Sequence, residues 1–203
     1  GFKHNVHSLR VVDVLEAGTG LNLTWEVRDG ILNHTKLGKP ATLEGQILSI
    51  SDRIAYINHD IDDAIRAKII SEQSLPQDCT EILGHSHPNR IDTMVKDVIY
   101  HSCGQGQIIM SKAVGQATEQ LRSFMFQHVY IDSFAKEEED KAMYVLEELF
   151  QYFMKHPDYL PIEYGKQISV YGKEQAVCDY IAGMTDRYAA RLFHQLFIPS
   201  SWK

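Results

Sequence analysis

Between Ile50 and Ile65 the apolar positions recur every third or fourth residue: Ile50, Ile54, Ile57, Ile61 and Ile65. At roughly 100° per residue these five fall on one side of a helix, while Asp52, Tyr56, His59, Asp60 and Asp63 fall on an arc opposite them. The pattern predicts a long central helix from about Ala41 to Ile70, ended by the break at Ser74-Leu75-Pro76. Helical periods continue on both sides of it. Val6, Leu9, Val12, Val14 and Leu15 predict a first helix that stops near Gly18 and Gly20, and Asn22 to Asn33 a second with Thr24 as its cap. Pro88 suits the opening turn of a helix carrying Ile91, Met94, Val95, Val98 and Ile99. Further helices are expected over Val114 to Tyr130, Ala135 to Lys155 and Glu174 to Leu196. Only Ile168-Ser-Val-Tyr171 has the look of a short strand. No repeat, low-complexity tract or long linker interrupts the chain, so residues 1–203 are expected to form a single all-α unit.

Composition narrows the class without naming a function. A chain of 203 residues with 44% hydrophobic and 23% charged content can bury a sizeable core. No apolar run approaches the roughly 18 residues of a membrane span, and the first residues lack the basic-then-apolar pattern of a signal peptide. Cys79, Cys103 and Cys178 cannot all pair and have no zinc-knuckle spacing, which fits reduced thiols and a cytoplasmic setting. A formal charge of −7 argues against a large nucleic-acid surface. An acidic protein that binds a polyphosphate needs a metal or a focused group of cations.

The arc opposite the isoleucines is where chemistry concentrates. An amphipathic helix with a solvated acidic face is the simplest account of any charge stripe. Solvent faces, however, are usually filled with Lys and Glu in opposite-charge pairs four apart, whereas Tyr56 and His59 are interleaved with Asp52, Asp60 and Asp63. The spacing Asp52-Arg53-x-x-Tyr56-x-x-x-Asp60 resembles the segment carrying the last metal-binding aspartate in the deoxynucleoside triphosphate triphosphohydrolases of the HD superfamily. The resemblance is ordered along the chain. It runs from Gly1-Phe-Lys-His4-Asn5 and Ser8-Leu-Arg-Val-Val12 through Gly20-Leu-Asn-Leu-Thr24-Trp-Glu-Val-Arg-Asp-Gly30-Ile31 and Leu43-Glu-Gly-Gln46. It resumes at Leu121-Arg-Ser-Phe-Met-Phe126 and closes with Asp179-Tyr-Ile-Ala-Gly-Met184-Thr-Asp186-Arg187-Tyr188-Ala189.

That resemblance implies an HD-type helical bundle truncated at its N-terminal side, because the family places a His and a His-Asp pair upstream of the Gly-Phe-x-His-Asn block. It makes Asp52 the one family metal ligand on this chain, for Mg²⁺ or Mn²⁺ in the intact parent and with weak or absent binding in the chain alone. By the same resemblance Arg53 suits phosphate, Tyr56 the sugar, and Asp60 the sugar 3′-hydroxyl, which a carboxylate can select strongly. His4 becomes the candidate catalytic residue, giving a proton to the leaving oxygen, and Asn5 lies beside it near the phosphates. Met184 to Tyr188 belong to a helix similar to one lining the family's site. The implied parent converts a deoxynucleoside triphosphate and water to deoxynucleoside and triphosphate, with water attacking the α-phosphorus, and is a homo-oligomer. The chain alone is expected to be inactive. Two other readings stay open: a non-catalytic nucleotide-binding or assembly module, and a general HD-type phosphomonoesterase. A different register is also conceivable, in which His34, His59-Asp60 and Asp92 or Asp97 copy the HD ligand order. The ordered resemblance instead sets His59-Asp60 two turns beyond the ligand.

Overall fold

The isoleucine stripe of the central helix organises the first part of the chain. The computed structural model describes residues 2–35, 37–130 and 135–199, which group into two compact units, Gly1–Ser133 and Phe134–Lys203. The first unit contains α1 (His4–Arg10), continued by a π-helical turn Val11–Leu15, then α2 (Trp25–Asn33), α3 (Leu43–Arg66), α4 (Gln77–Leu83), α5 (His87–Ser102) and α6 (Lys112–Met125). A second π-helical turn, Phe126–Tyr130, extends α6. The Thr42 hydroxyl accepts the Gly45 N–H at 3.1 Å and starts α3, and Ser86 and Ser111 do the same for α5 and α6. From α3, Ile54, Ile57 and Ile61 enter a core shared with Leu83, Met94, Leu121 and Met125, and Ile50 and Ile65 pack at its edge. Burying each such side chain stabilises the unit by about 1.5–3 kcal/mol before conformational entropy is counted.

Two features fix how these helices meet. Gly30 of α2 faces Gly45 of α3 so closely that a Cβ added at Gly30 would lie 3.5 Å from the Gly45 Cα. On the other side, Arg90 of α5 is completely buried. Its Nε donates to Asn58 Oδ1 of α3 at 3.2 Å and its Nη1 meets Glu72 at 3.3 Å, so a cation in the core is held by an amide and a carboxylate.

The second unit contains α7 (Ala135–Lys155), α8 (Ile162–Gly165), α9 (Ile168–Tyr171), α10 (Lys173–Ala182) and α11 (Asp186–Phe197). Leu149, Phe153, Leu160, Val177 and Ala189 form its core, with Phe193 and Phe197 packed against them. The all-α reading of the chain stands, and among the described residues there is no strand. No helix there is long and apolar enough to cross a membrane.

Several expected elements differ in detail. Ile168–Tyr171 is a helical turn and not a strand, closed by Gly172 at φ 88°. The helix expected over Glu174 to Leu196 is two, because Thr185 takes extended backbone and its hydroxyl caps α11 by accepting the Tyr188 N–H at 3.2 Å. Helix α4 carries no expectation, and Val95 and Ile99, periodic with Met94, lie exposed. Thr24 stands at the cap position of α2 without capping it; the Glu26 backbone and the Thr24 side chain hold the Glu26 carboxyl below its ordinary range.

Candidate functional site

The polar arc of α3 meets residues from the far end of α6. Asp52 and Tyr56 are exposed and Arg53 and Asp60 are half-buried, in keeping with a face turned away from the isoleucines. Tyr130, in the turn that extends α6, donates its hydroxyl proton to Asp60 Oδ2. Burial and that hydrogen bond push the Tyr130 phenol far above its ordinary range, with Asp60 and then Tyr56 adding to it electrostatically. One turn back on α3, burial raises the Tyr56 phenol against the opposing pull of Arg122 and Arg53, and the charges of Glu119 and Asp52 act on the same ring. Arg122 is itself held in place, donating Nη2 to Glu119 Oε1 at 2.7 Å and Nε at 3.1 Å. The cluster therefore collects Asp52, Arg53, Tyr56 and Asp60 from one helix and Glu119, Arg122 and Tyr130 from another. Two guanidiniums beside two phenols and an acceptor carboxylate can neutralise phosphate charge and hold a hydroxylated ring.

Arg122 and Tyr130 carried no expected role. Arg122 lies in the block Leu121-Arg-Ser-Phe-Met-Phe126, and an acidic arc with few basic partners of its own was the signal that a cation had to come from elsewhere. Tyr130, 70 positions from Asp60, leaves no local signal.

His4 and Asn5 form a second group, at the start of α1. Asn5 Nδ2 donates to the Leu32 carbonyl at 2.6 Å, and His4 Nε2 lies 3.2 Å from His34 Nε2, which ties this end of α1 to the C-terminal turn of α2. Behind them, Asp13 and Arg28 make a two-pronged ion pair, 2.8 Å in each arm. The alternative register does not assemble among the described residues: His34 is joined to His4, the His59 ring leans on His87 at 5.2 Å, Asp92 pairs with Lys96, and Asp97 meets His101 and the Ser111 N–H.

Comparison with known proteins places the chain in a family. The phosphohydrolase-associated domain matches residues 108–195, from the stretch before α6 to the last turns of α11. Over 203 residues the chain is 57% identical to a deoxyguanosinetriphosphate triphosphohydrolase-like protein of Caldanaerobacter subterraneus subsp. tengcongensis, covering 100% of this chain and 60% of that protein. A protein of the same description from Clostridium tetani is 46% identical over 211 residues, covering 98% and 60%. One from Nitrosomonas europaea is 32% identical over 250 residues, covering 97% and 67%. The chain belongs to the deoxyguanosinetriphosphate triphosphohydrolase-like family. It spans about 60% of the length of the first two of these relatives.

Membership in this family raises the question of a divalent metal. Asp52 offers one exposed carboxylate, and among the described residues no group of three or more His, Cys, Asp or Glu side chains converges. Stable divalent sites draw on more donors than that. These residues by themselves do not fit a metal centre. Their own side chains can balance anionic charge, orient a hydroxyl and hold a proton.

Proposed function

We propose that this chain works as the C-terminal portion of a metal-dependent deoxynucleoside triphosphate triphosphohydrolase, providing its substrate face and Asp52 as one ligand of the ion. The observation that supports it is the joining of Asp60, Tyr56 and Arg53 on α3 with Arg122 and Tyr130 from α6, together with the family of the chain. In this reading Arg53 and Arg122 balance the triphosphate charge, Tyr56 packs beside the deoxyribose, and the free oxygen of Asp60 accepts the sugar 3′-hydroxyl. Tyr130 holds the other Asp60 oxygen and so fixes the direction in which the carboxylate accepts. Asn5 anchors α1 so that His4 stands at the phosphate end, where it gives a proton to the 5′-oxygen as that oxygen leaves the α-phosphorus. Copies of the complete polypeptide associate into a homo-oligomer.

The test is product analysis on the complete polypeptide that carries this chain, supplied with dGTP and with Mg²⁺ or Mn²⁺. Deoxyguanosine and intact triphosphate in equal amounts are expected. Orthophosphate as the product would point instead to a general phosphomonoesterase, and binding of dGTP without any product to a nucleotide-binding module. The 203-residue chain alone is expected to release no triphosphate at an enzyme's rate.

A further inference from the structure

His34 explains which nitrogen of His4 handles a proton. His34 Nδ1 lies 2.7 Å from the Ile31 carbonyl oxygen, an atom that can only accept, so Nδ1 carries a hydrogen. In the neutral ring this leaves His34 Nε2 as a bare lone pair. Facing it at 3.2 Å is His4 Nε2, and two lone pairs or two N–H groups at that separation would repel. A single proton therefore sits between the two rings, and while both are neutral it belongs to His4 Nε2. The arrangement is anchored on both sides. The Ser49 hydroxyl donates to the His34 carbonyl at 2.7 Å, and Asn5 Nδ2 holds the Leu32 carbonyl at 2.6 Å.

We infer that His34 is a positioning residue for His4: the chain Ile31 carbonyl, His34, His4 confines proton exchange to His4 Nδ1. When the pair takes up one more proton, the Ile31 carbonyl keeps the hydrogen on His34 Nδ1 and the shared proton keeps the two Nε2 atoms occupied. Whichever ring holds the shared proton, the added one goes to His4 Nδ1 and is released from there. The charge of the protonated state spreads over two rings, and His34 orients the catalytic imidazole much as a carboxylate does in other sites. This deepens the proposed role of His4 and rests on it only for its consequence in turnover. The tautomers themselves depend on the geometry alone.

Nitrogen-15 spectroscopy of the 203-residue chain, at a pH where both rings are neutral, reads the arrangement directly. The expected result is His34 as the Nδ1–H tautomer, His4 as the Nε2–H tautomer, and a through-hydrogen-bond coupling between the two Nε2 atoms. His34 as the Nε2–H tautomer, or absence of the coupling, overturns the inference. In the complete polypeptide, His34→Ala should lower kcat about tenfold, the worth of one hydrogen bond, with KM unchanged. His34→Gln, whose amide oxygen can accept from His4 Nε2, should recover part of it. Unchanged kcat in His34→Ala overturns the positioning role even if the tautomers are as expected. Unchanged turnover in His4→Gln would instead defeat the proposed role of His4 and leave the tautomer result standing.

Discussion

At the scale of single residues, the candidate site is one face of α3 met by side chains from distant parts of the chain. Asp52, Arg53, Tyr56 and Asp60 share one face of α3 because the helical period puts them there, and the buried isoleucines opposite leave that face no choice of direction. The partners of that face are different. Tyr130 reaches Asp60 only because the core holds the far end of α6 beside α3, and no local pattern encodes that meeting. The same holds for His4 and His34, 30 positions apart. Tyr130→Phe tests the pairing at this scale. It removes a donor to a charged acceptor, and because the phenol is about half exposed the loss is discounted to about 0.5–1 kcal/mol. Chemical denaturation at neutral pH should show it. The sign with pH follows from the raised phenol: the Tyr130 contribution is full below the ordinary tyrosine range and is lost as pH rises through the higher folded value. An alkaline absorbance titration should accordingly lose one late-titrating phenol in Tyr130→Phe while the likewise raised phenol of Tyr180 remains, and an unchanged titration would speak against the Asp60 contact.

Elements show where short-range rules prevail and where they fail. Helices of two or more turns with a regular apolar stripe, such as α3, α5, α6 and α7, are readable from period and caps. Helix α4 has only seven residues between Pro76 and Gly84, too few for a period to stand out. The division between α10 and α11 was hidden because Ile181 and Met184 continue the apolar pattern across it, both packing on the second core, while the break depends on the cap of Thr185. The crossing of α2 and α3 gives a sharp test. A Cβ at Gly45 would come 2.7 Å from the Pro40 Cβ, inside any normal contact, so Gly45→Ala should lower stability by about 1–3 kcal/mol in thermal melts despite the better helix propensity of alanine. The ion pair between the Val11–Leu15 turn and α2 gives another. Hydrogen bonding from Arg28 holds the Asp13 carboxyl below its ordinary range. Its contribution is therefore present above roughly pH 4, the ordinary aspartate value, and is lost as pH falls through the lower folded value. Asp13→Asn should flatten the acid side of the stability profile in that window, and an unaltered profile would show that the pair adds nothing.

For the whole molecule, the family rests on the match along the full chain, the all-α architecture on the helices of the described residues, and the proposed function on how α3 and α6 present their polar ends. The proposed function gives Asp52 to the metal and Asp60, two turns on, to the sugar. The most direct measurement compares Asp52→Ala with Asp60→Ala in the complete polypeptide, reading bound metal by elemental analysis and turnover of dGTP against its analogue lacking the 3′-hydroxyl. Asp52→Ala should lose metal-dependent turnover. Asp60→Ala should keep its metal and measurable activity while discrimination between the two nucleotides falls about ten- to a hundredfold, the loss of one charge-assisted hydrogen bond worth roughly 1.5–3 kcal/mol. If Asp60→Ala strips the metal and Asp52→Ala retains it, the roles of the two carboxylates are reversed and Asp60 is the residue at the ion.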